Sequence, residues 1–147
     1  MSLTPLEQLE QDIYDAGIEL IPLRPAPDMD AMYVHFVGSA PCIYIDPAIT
    51  APRARYVLLA EELGHHFTST GDITPEATPA QRRQERIARE YAYRRTAPYS
   101  VILHMLRERY YPYEIADWLF VPLWYLNEAM EFYGISGRVF PLDYEAC

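Results

Sequence analysis

Apolar and polar positions alternate along this chain with two different periods, and each change of period marks an element boundary. Residues 4–16 carry Leu6, Leu9, Ile13 and Tyr14 at helical spacing, one face of a 3.6-residue repeat. Thr4 can cap that helix, Pro5 suits its first turn, Glu7 falls at the capping-box position and Gly17 ends it. The period then shortens to two. Residues 18–23, 31–37 and 42–46 read as short strands bounded by Pro, Asp, Gly and Ser. Only a short Gly-Ser-Pro segment separates the last two, which suits a hairpin. The sheet is therefore expected to be small and antiparallel.

Helical spacing returns at Thr50 or Ala51, with Pro52 in the first turn, and gives a central helix over about 52–67. Residues 69–72 stop it, and a polar loop with Pro75 and Pro79 follows. Further helices are expected over residues 80–96, 100–110, 113–119 and 123–133, divided by Pro98, Pro112 and Pro122. Residues 134–147 show no clear period. Helix, small sheet and then helices make an α+β plan. With 147 residues and no linker or repeat, it is expected to form one domain over 1–147, with a helical subregion at about 98–133.

The central helix is the informative stretch. Its run Leu58-Leu59-Ala60-Glu61-Glu62-Leu63-Gly64-His65-His66-Phe67 puts ionisable side chains among apolar ones. It matches the zinc-binding helix pattern H-E-x-x-H except that Glu61 stands where the first histidine would be. Residues i and i+4 lie one above the other on a helix, so Glu61 and His65 can hold one metal ion together. Glu62 is turned by about 100° around the axis. It need not ligate, and can act as a general base toward water that the ion activates. Gly64 in a helix interior costs roughly 1 kcal/mol, which close approach of another element would explain. The short pattern alone also fits a solvated face of Glu and His pairs.

A catalytic zinc usually takes a third protein ligand. Glu85, on the next helix, shares a face with the small residues Ala88 and Ala92, which would let the two helices come close. Glu90 is a rival on another face, and Glu85 can instead pair with Arg89 at i+4. The arginines at 82, 83, 86, 89, 94 and 95 make this helix the basic part of an acidic chain, read as a solvated face.

Charge and cysteine usage narrow the partners. A net charge of −9 disfavours binding to nucleic-acid phosphates and anionic lipid. Two isolated cysteines, Cys42 and Cys147, point to a reduced, cytoplasmic setting. The N-terminal residues lack a signal-peptide pattern. No apolar run approaches the ~18–20 residues that span a membrane.

Three ordered blocks carry a family resemblance. Leu59-Ala60-Glu61-Glu62-Leu63-Gly64-His65-His66, then Thr68-Ser69-Thr70-Gly71-Asp72, then Glu85, Ala88, Tyr91 and Ala92 resemble the ImmA/IrrE metallo-endopeptidases. The likeness is to members carried by prophages and mobile elements, and covers roughly residues 18–133. It implies a minimal zincin-like fold and a zinc-dependent peptidase that cuts a cognate helix-turn-helix repressor. It further implies His65 and Glu85 as metal ligands and Glu62 as base, with Glu61 at the usual first histidine. Carboxylate is an acceptable zinc ligand, but a Glu-His-Glu set is harder and admits manganese or iron more readily. A substrate peptide is expected to lie along an edge strand such as residues 43–46. The alternatives are a metal-free relative that binds the repressor without cutting it, and a structural metal domain.

Two features lie outside that scheme. Glu62 and His66 repeat the i, i+4 spacing in a shifted register, which ranks second because it leaves Glu61 without a role and breaks the alignment with the Glu85 block. Residues 113–133 have the layout of a helix-turn-helix. Their second helix offers Leu123, Trp124, Tyr125, Asn127, Glu128 and Glu131, a poor set for reading base edges. An apolar surface for a protein partner, or simply core, fits better.

Overall fold

The computed structural model describes residues 2–68 and 79–135. Among them are six helices and three strands in an α+β arrangement. The chain divides into two compact units, Met1–Ala92 and Tyr93–Cys147.

In the first unit, α1 (Pro5–Asp15) starts on a complete capping box. Thr4 Oγ1 accepts the Glu7 N–H at 3.1 Å, and Glu7 Oε2 accepts the Thr4 N–H at 2.9 Å. Such a cap is worth about 1 kcal/mol because it satisfies donors the helix cannot. Gly17 ends the helix at φ +78°, returning its N–H to Tyr14 while that of Ile18 returns to Ile13. Leu9 and Ile13 are buried.

The strands are β1 (Glu19–Ile21), β2 (Ala31–Val34) and β3 (Cys42–Ile45), in the order β1-β3-β2. β2 and β3 are antiparallel, with Ala31 opposite Ile45 and Val34 opposite Cys42. β1 runs parallel to β3, with Glu19 opposite Cys42. The sheet is thus mixed, not antiparallel as the strand spacing suggests. The cause is residues 22–30, which carry the chain past the end of β3 to the far edge instead of turning straight back. Arg24 pins this crossing: it donates to Asp46 Oδ2 at 2.7 Å and to the Ala26 and Pro27 carbonyls at 3.0 and 2.6 Å. Residues 43–46 are therefore not an edge; β3 is the middle strand, and β2 is an edge strand among the described residues.

Alternate residues Ala31, Tyr33, Ile43 and Ile45 are buried, the period-two signature of one covered sheet face. Helix α2 (Pro52–Thr68) packs on β2, β3 and α1. Its buried set of Tyr56, Val57, Leu59, Ala60, Leu63, Gly64 and His65 spans more than a single stripe, so it is a core helix. Full burial of Leu59, Leu63, Ile43 and Ile45 contributes about 1.5–3 kcal/mol each. Helix α3 (Pro79–Thr96) meets α2 at Gly64, where an added Cβ would sit 2.6 Å from the Ala88 carbonyl oxygen and 3.1 Å from the Tyr91 ring. That contact is the reason for a glycine there, and Ala88 is fully buried against it.

The second unit holds the end of α3 with α4 (Tyr99–Arg107), α5 (Pro112–Leu119) and α6 (Leu123–Phe132). Ile102, Leu106, Ile115, Val121, Leu126 and Ala129 form its core. Pro98 and Pro122 flank helix starts and Pro112 opens α5. Thr96 Oγ1 donates to the Tyr125 hydroxyl at 2.9 Å inside it. The expected stop at 69–72 and residues 136–147 lie outside the described residues.

Candidate metal centre

Helix α2 presents two i, i+4 pairs, one turned from the other by a single residue, and each faces a different neighbour. Glu61 and His65 face α3, where one ligand atom from each and one from Glu85 all lie within 4.8 Å of one another. Glu62 and His66 face β2, where both engage Tyr33. Among the described residues this Glu61, His65 and Glu85 group could hold a metal ion. Glu90 is not part of it.

One edge of the donor set has the spacing a small divalent cation needs. Bonds of about 2.0–2.2 Å in a tetrahedral site place donors roughly 3.4 Å apart. His65 Nε2 and Glu85 Oε2 lie 3.3 Å apart, so that edge is already at ligating distance. Gly64 sets it, because the missing side chain lets the Ala88 turn of α3 approach and brings Glu85 up to His65. His65 is 4 % exposed. Its other ring nitrogen, Nδ1, is buried and has no hydrogen-bond partner among the described residues. Metal-bound histidines usually donate that second N–H to an acceptor that fixes the ring. Arg89 Nη2 stands 3.9 Å from Glu61 Oε1, so the arginine i+4 from Glu85 reaches over to Glu61.

Three carboxyls around one imidazole set the electrostatics. Burial pulls the His65 pKa down, but the Glu85 hydrogen bond and the charges of Glu62, Glu85 and Glu61 outweigh it, and the net shift is upward. The hydrogen bond from His65 holds Glu85 below the usual carboxyl value against some burial, with help from the His65 and Arg89 charges. Burial raises Glu62 to about 7; His65 and the Tyr33 N–H oppose the rise, while Glu61 and Glu85 add to it. A carboxyl poised near neutrality is suited to exchanging protons.

Glu62 is held in place from β2. Its Oε2 accepts the Tyr33 backbone N–H at 2.7 Å. The Asp46 N–H bonds the Asp30 carbonyl, which puts residues 30, 32 and 34 in register toward β3 and turns the Tyr33 amide away from the sheet. The Tyr33 hydroxyl lies 2.8 Å from His66 Nδ1. Burial and His35 lower the His66 pKa, so at neutral pH the ring is uncharged and can accept from the phenol. The shifted register therefore exists, with a strand residue as its target.

Sequence reasoning brought together Glu61, Glu62, His65 and Glu85, and missed Tyr33 and the reach of Arg89. Tyr33 acts through its amide, which has no residue signature, and a buried tyrosine on a strand is ordinary core. A search of protein-family models, of curated proteins and of solved structures finds no match to this chain.

Proposed function

We propose that this protein is a zinc-dependent endopeptidase of zincin-like fold, of the ImmA/IrrE type that its motif blocks resemble. Its substrate would be a cognate helix-turn-helix repressor. The observation that carries this reading is the convergence of Glu61, His65 and Glu85 donor atoms within 4.8 Å, with Glu62 beside them. Glu61, His65 and Glu85 hold the ion, and manganese or iron are admissible occupants because two of the three donors are carboxylates. A bound divalent cation would supply Lewis acidity, lowering the pKa of water and polarising a carbonyl. Glu62 takes a proton from the attacking water and returns it to the leaving amine. Tyr33 occupies its Oε2 and leaves Oε1 for the proton. The substrate lies extended against β2, the edge strand beside Glu62, pairing with main-chain groups other than the Tyr33 amide, which Glu62 holds. The acidic chain, at net charge −9, favours encounter with a basic DNA-binding protein.

A specific observation favours a second reading. The His65–Glu85 and Arg89–Glu61 ion pairs, at 3.3 and 3.9 Å, would equally hold together a module that binds the repressor without cutting it. Co-expression of the repressor with wild type and with Glu62→Gln, read by mass spectrometry, separates the two. The peptidase reading expects cutting by wild type and at least a hundredfold slower cutting by the variant, from the ~10²–10⁴ a positioned base contributes. Binding by both and cutting by neither selects the binding module. Binding by neither removes the repressor as partner.

A further inference from the structure

We propose that Tyr33 and His66 form a clamp that positions Glu62. The inference rests on the peptidase reading above and assigns a role to the one ionisable residue of the central run that this reading leaves idle. β2 is a four-residue strand that, among the described residues, has a strand neighbour on one side only. Short edge strands fray readily, since no second strand pairs their outer amides. The amide that fixes Glu62 Oε2 is such an outer group, at Tyr33. The same residue is tied a second time, by its hydroxyl to His66 Nδ1 at 2.8 Å.

The two ties form one unit. Glu62 and His66 are i and i+4 on α2, so they lie one above the other and grip a single strand residue at its amide and at its ring tip. The His66 ring is wedged edge-on between the Tyr33 and Phe67 rings, with centroids 5.6 and 5.1 Å away. It is therefore a fixed post. If the hydroxyl tie is cut, the strand can shift relative to α2 and carry the Tyr33 amide with it, and Glu62 loses its fixed orientation. Glu61 and His65 point to Glu85 on α3 instead of to β2, and that group is not disturbed. Tyr33 and His66 are thus positioning residues, and neither is a ligand nor the base.

The test uses the full chain with Tyr33→Phe and His66→Leu, which cut the tie, and His66→Asn, whose Oδ1 replaces Nδ1 as acceptor. Thermal melts establish that each is folded, and zinc calorimetry reads the metal site. The clamp predicts that kcat falls at least tenfold in Tyr33→Phe and His66→Leu, since small misplacement of a catalytic group can cost up to about 10²-fold. KM and zinc affinity stay as in wild type, and His66→Asn recovers most of the loss. The Tyr33 amide proton gives a readout that needs no cleavage. A bond to a carboxylate places it downfield in wild type; it should move upfield in the two cutting variants and return in His66→Asn. If wild type cuts nothing, the peptidase reading fails and the amide signal alone decides the clamp. Unchanged kcat and amide position in Tyr33→Phe and His66→Leu would overturn the proposal. So would a loss of zinc affinity that accounts for the fall in kcat.

Discussion

Glu62 is a partly buried carboxyl whose pKa burial and the charges of Glu61 and Glu85 raise, and its protonation couples to folding. With a pKa near 7 in the folded chain against 4.5 in the free carboxyl, the metal-free folded state keeps a proton that the unfolded state loses over that interval. Its contribution to stability is complete below about pH 4.5 and is lost as pH rises through 7. The upward shift of His65 acts in the same sense above its ordinary 6.5. The lowered Glu85 acts in the opposite sense, with stability present above 4.5 and lost below it. In chelator, urea unfolding should therefore show the protein less stable at pH 7.5 than at pH 5, by about 2–3 kcal/mol for a shift of this size. Glu62→Gln should flatten most of that slope; an equal slope in the variant would mean that Glu62 is not the group responsible. Beside it, Glu61→His should tighten zinc binding without altering the fold. Imidazole is a good neutral donor, and the change removes one charge next to Glu62 and Glu85. Calorimetry showing weaker binding would mean that Glu61 does not serve the ion.

At the scale of elements, the α2–α3 contact is the critical one. Gly64→Ala would ordinarily favour a helix by about 1 kcal/mol. Here the new methyl would meet the Ala88 carbonyl oxygen at 2.6 Å, and a backbone atom cannot swing aside. α3 must back away, and Glu85 with it. The expected result is a net loss of about 1–3 kcal/mol in urea unfolding, the usual range for overpacking. Zinc affinity should drop at least tenfold with His65 and Glu85 both intact. Wild-type zinc affinity in Gly64→Ala would show that helix separation does not set the site. The local devices of the other elements are independent of this contact. α5 closes on Phe120 at φ +61° and the turn after α4 on Arg109 at φ +65°. Both use the bonding pattern that Gly17 and Gly134 use, without a glycine.

At the scale of the whole molecule, charge and surface chemistry bear on partners. The order α5, turn, α6 matches the helix-turn-helix spacing of the sequence, yet Leu123, Trp124, Asn127, Glu128, Glu131 and Phe132 are the exposed residues of α6. Trp118 and Trp124 are 73 % and 56 % exposed. Carboxylates and indoles are poor partners for phosphates and base edges. In filter binding at micromolar protein, duplex DNA should not be retained at either about 50 or about 200 mM salt, whereas phosphate contacts would give binding that falls steeply over that range. Binding of that kind would restore a DNA-reading role to α6. Among the described residues no helix is long and apolar enough to cross a membrane.

What the amino-acid sequence determined by itself is what short-range physics controls. The Thr4–Glu7 box, the Gly17 stop, the helix starts at Pro52 and Pro112 and the period-two strands all depend on neighbours within four residues. The Gly64, Ala88 and Ala92 pattern was legible because close packing demands small residues, and it led to Glu85. The i, i+4 spacing likewise placed Glu61 with His65. Tertiary structure alone decided which strand lies in the middle, that β1 runs parallel to β3, and that Glu62 is held by an amide 29 residues away. It also decided that the two pairs on α2 face different partners. Backbone hydrogen bonds are the same for nearly every residue type, so strand order and amide partners leave no mark on composition or periodicity. The position of Arg89 over Glu61 was hidden for a related reason: a long flexible side chain on a helix can reach its own i−4 neighbour or another helix, and only the approach of α2 selects between them.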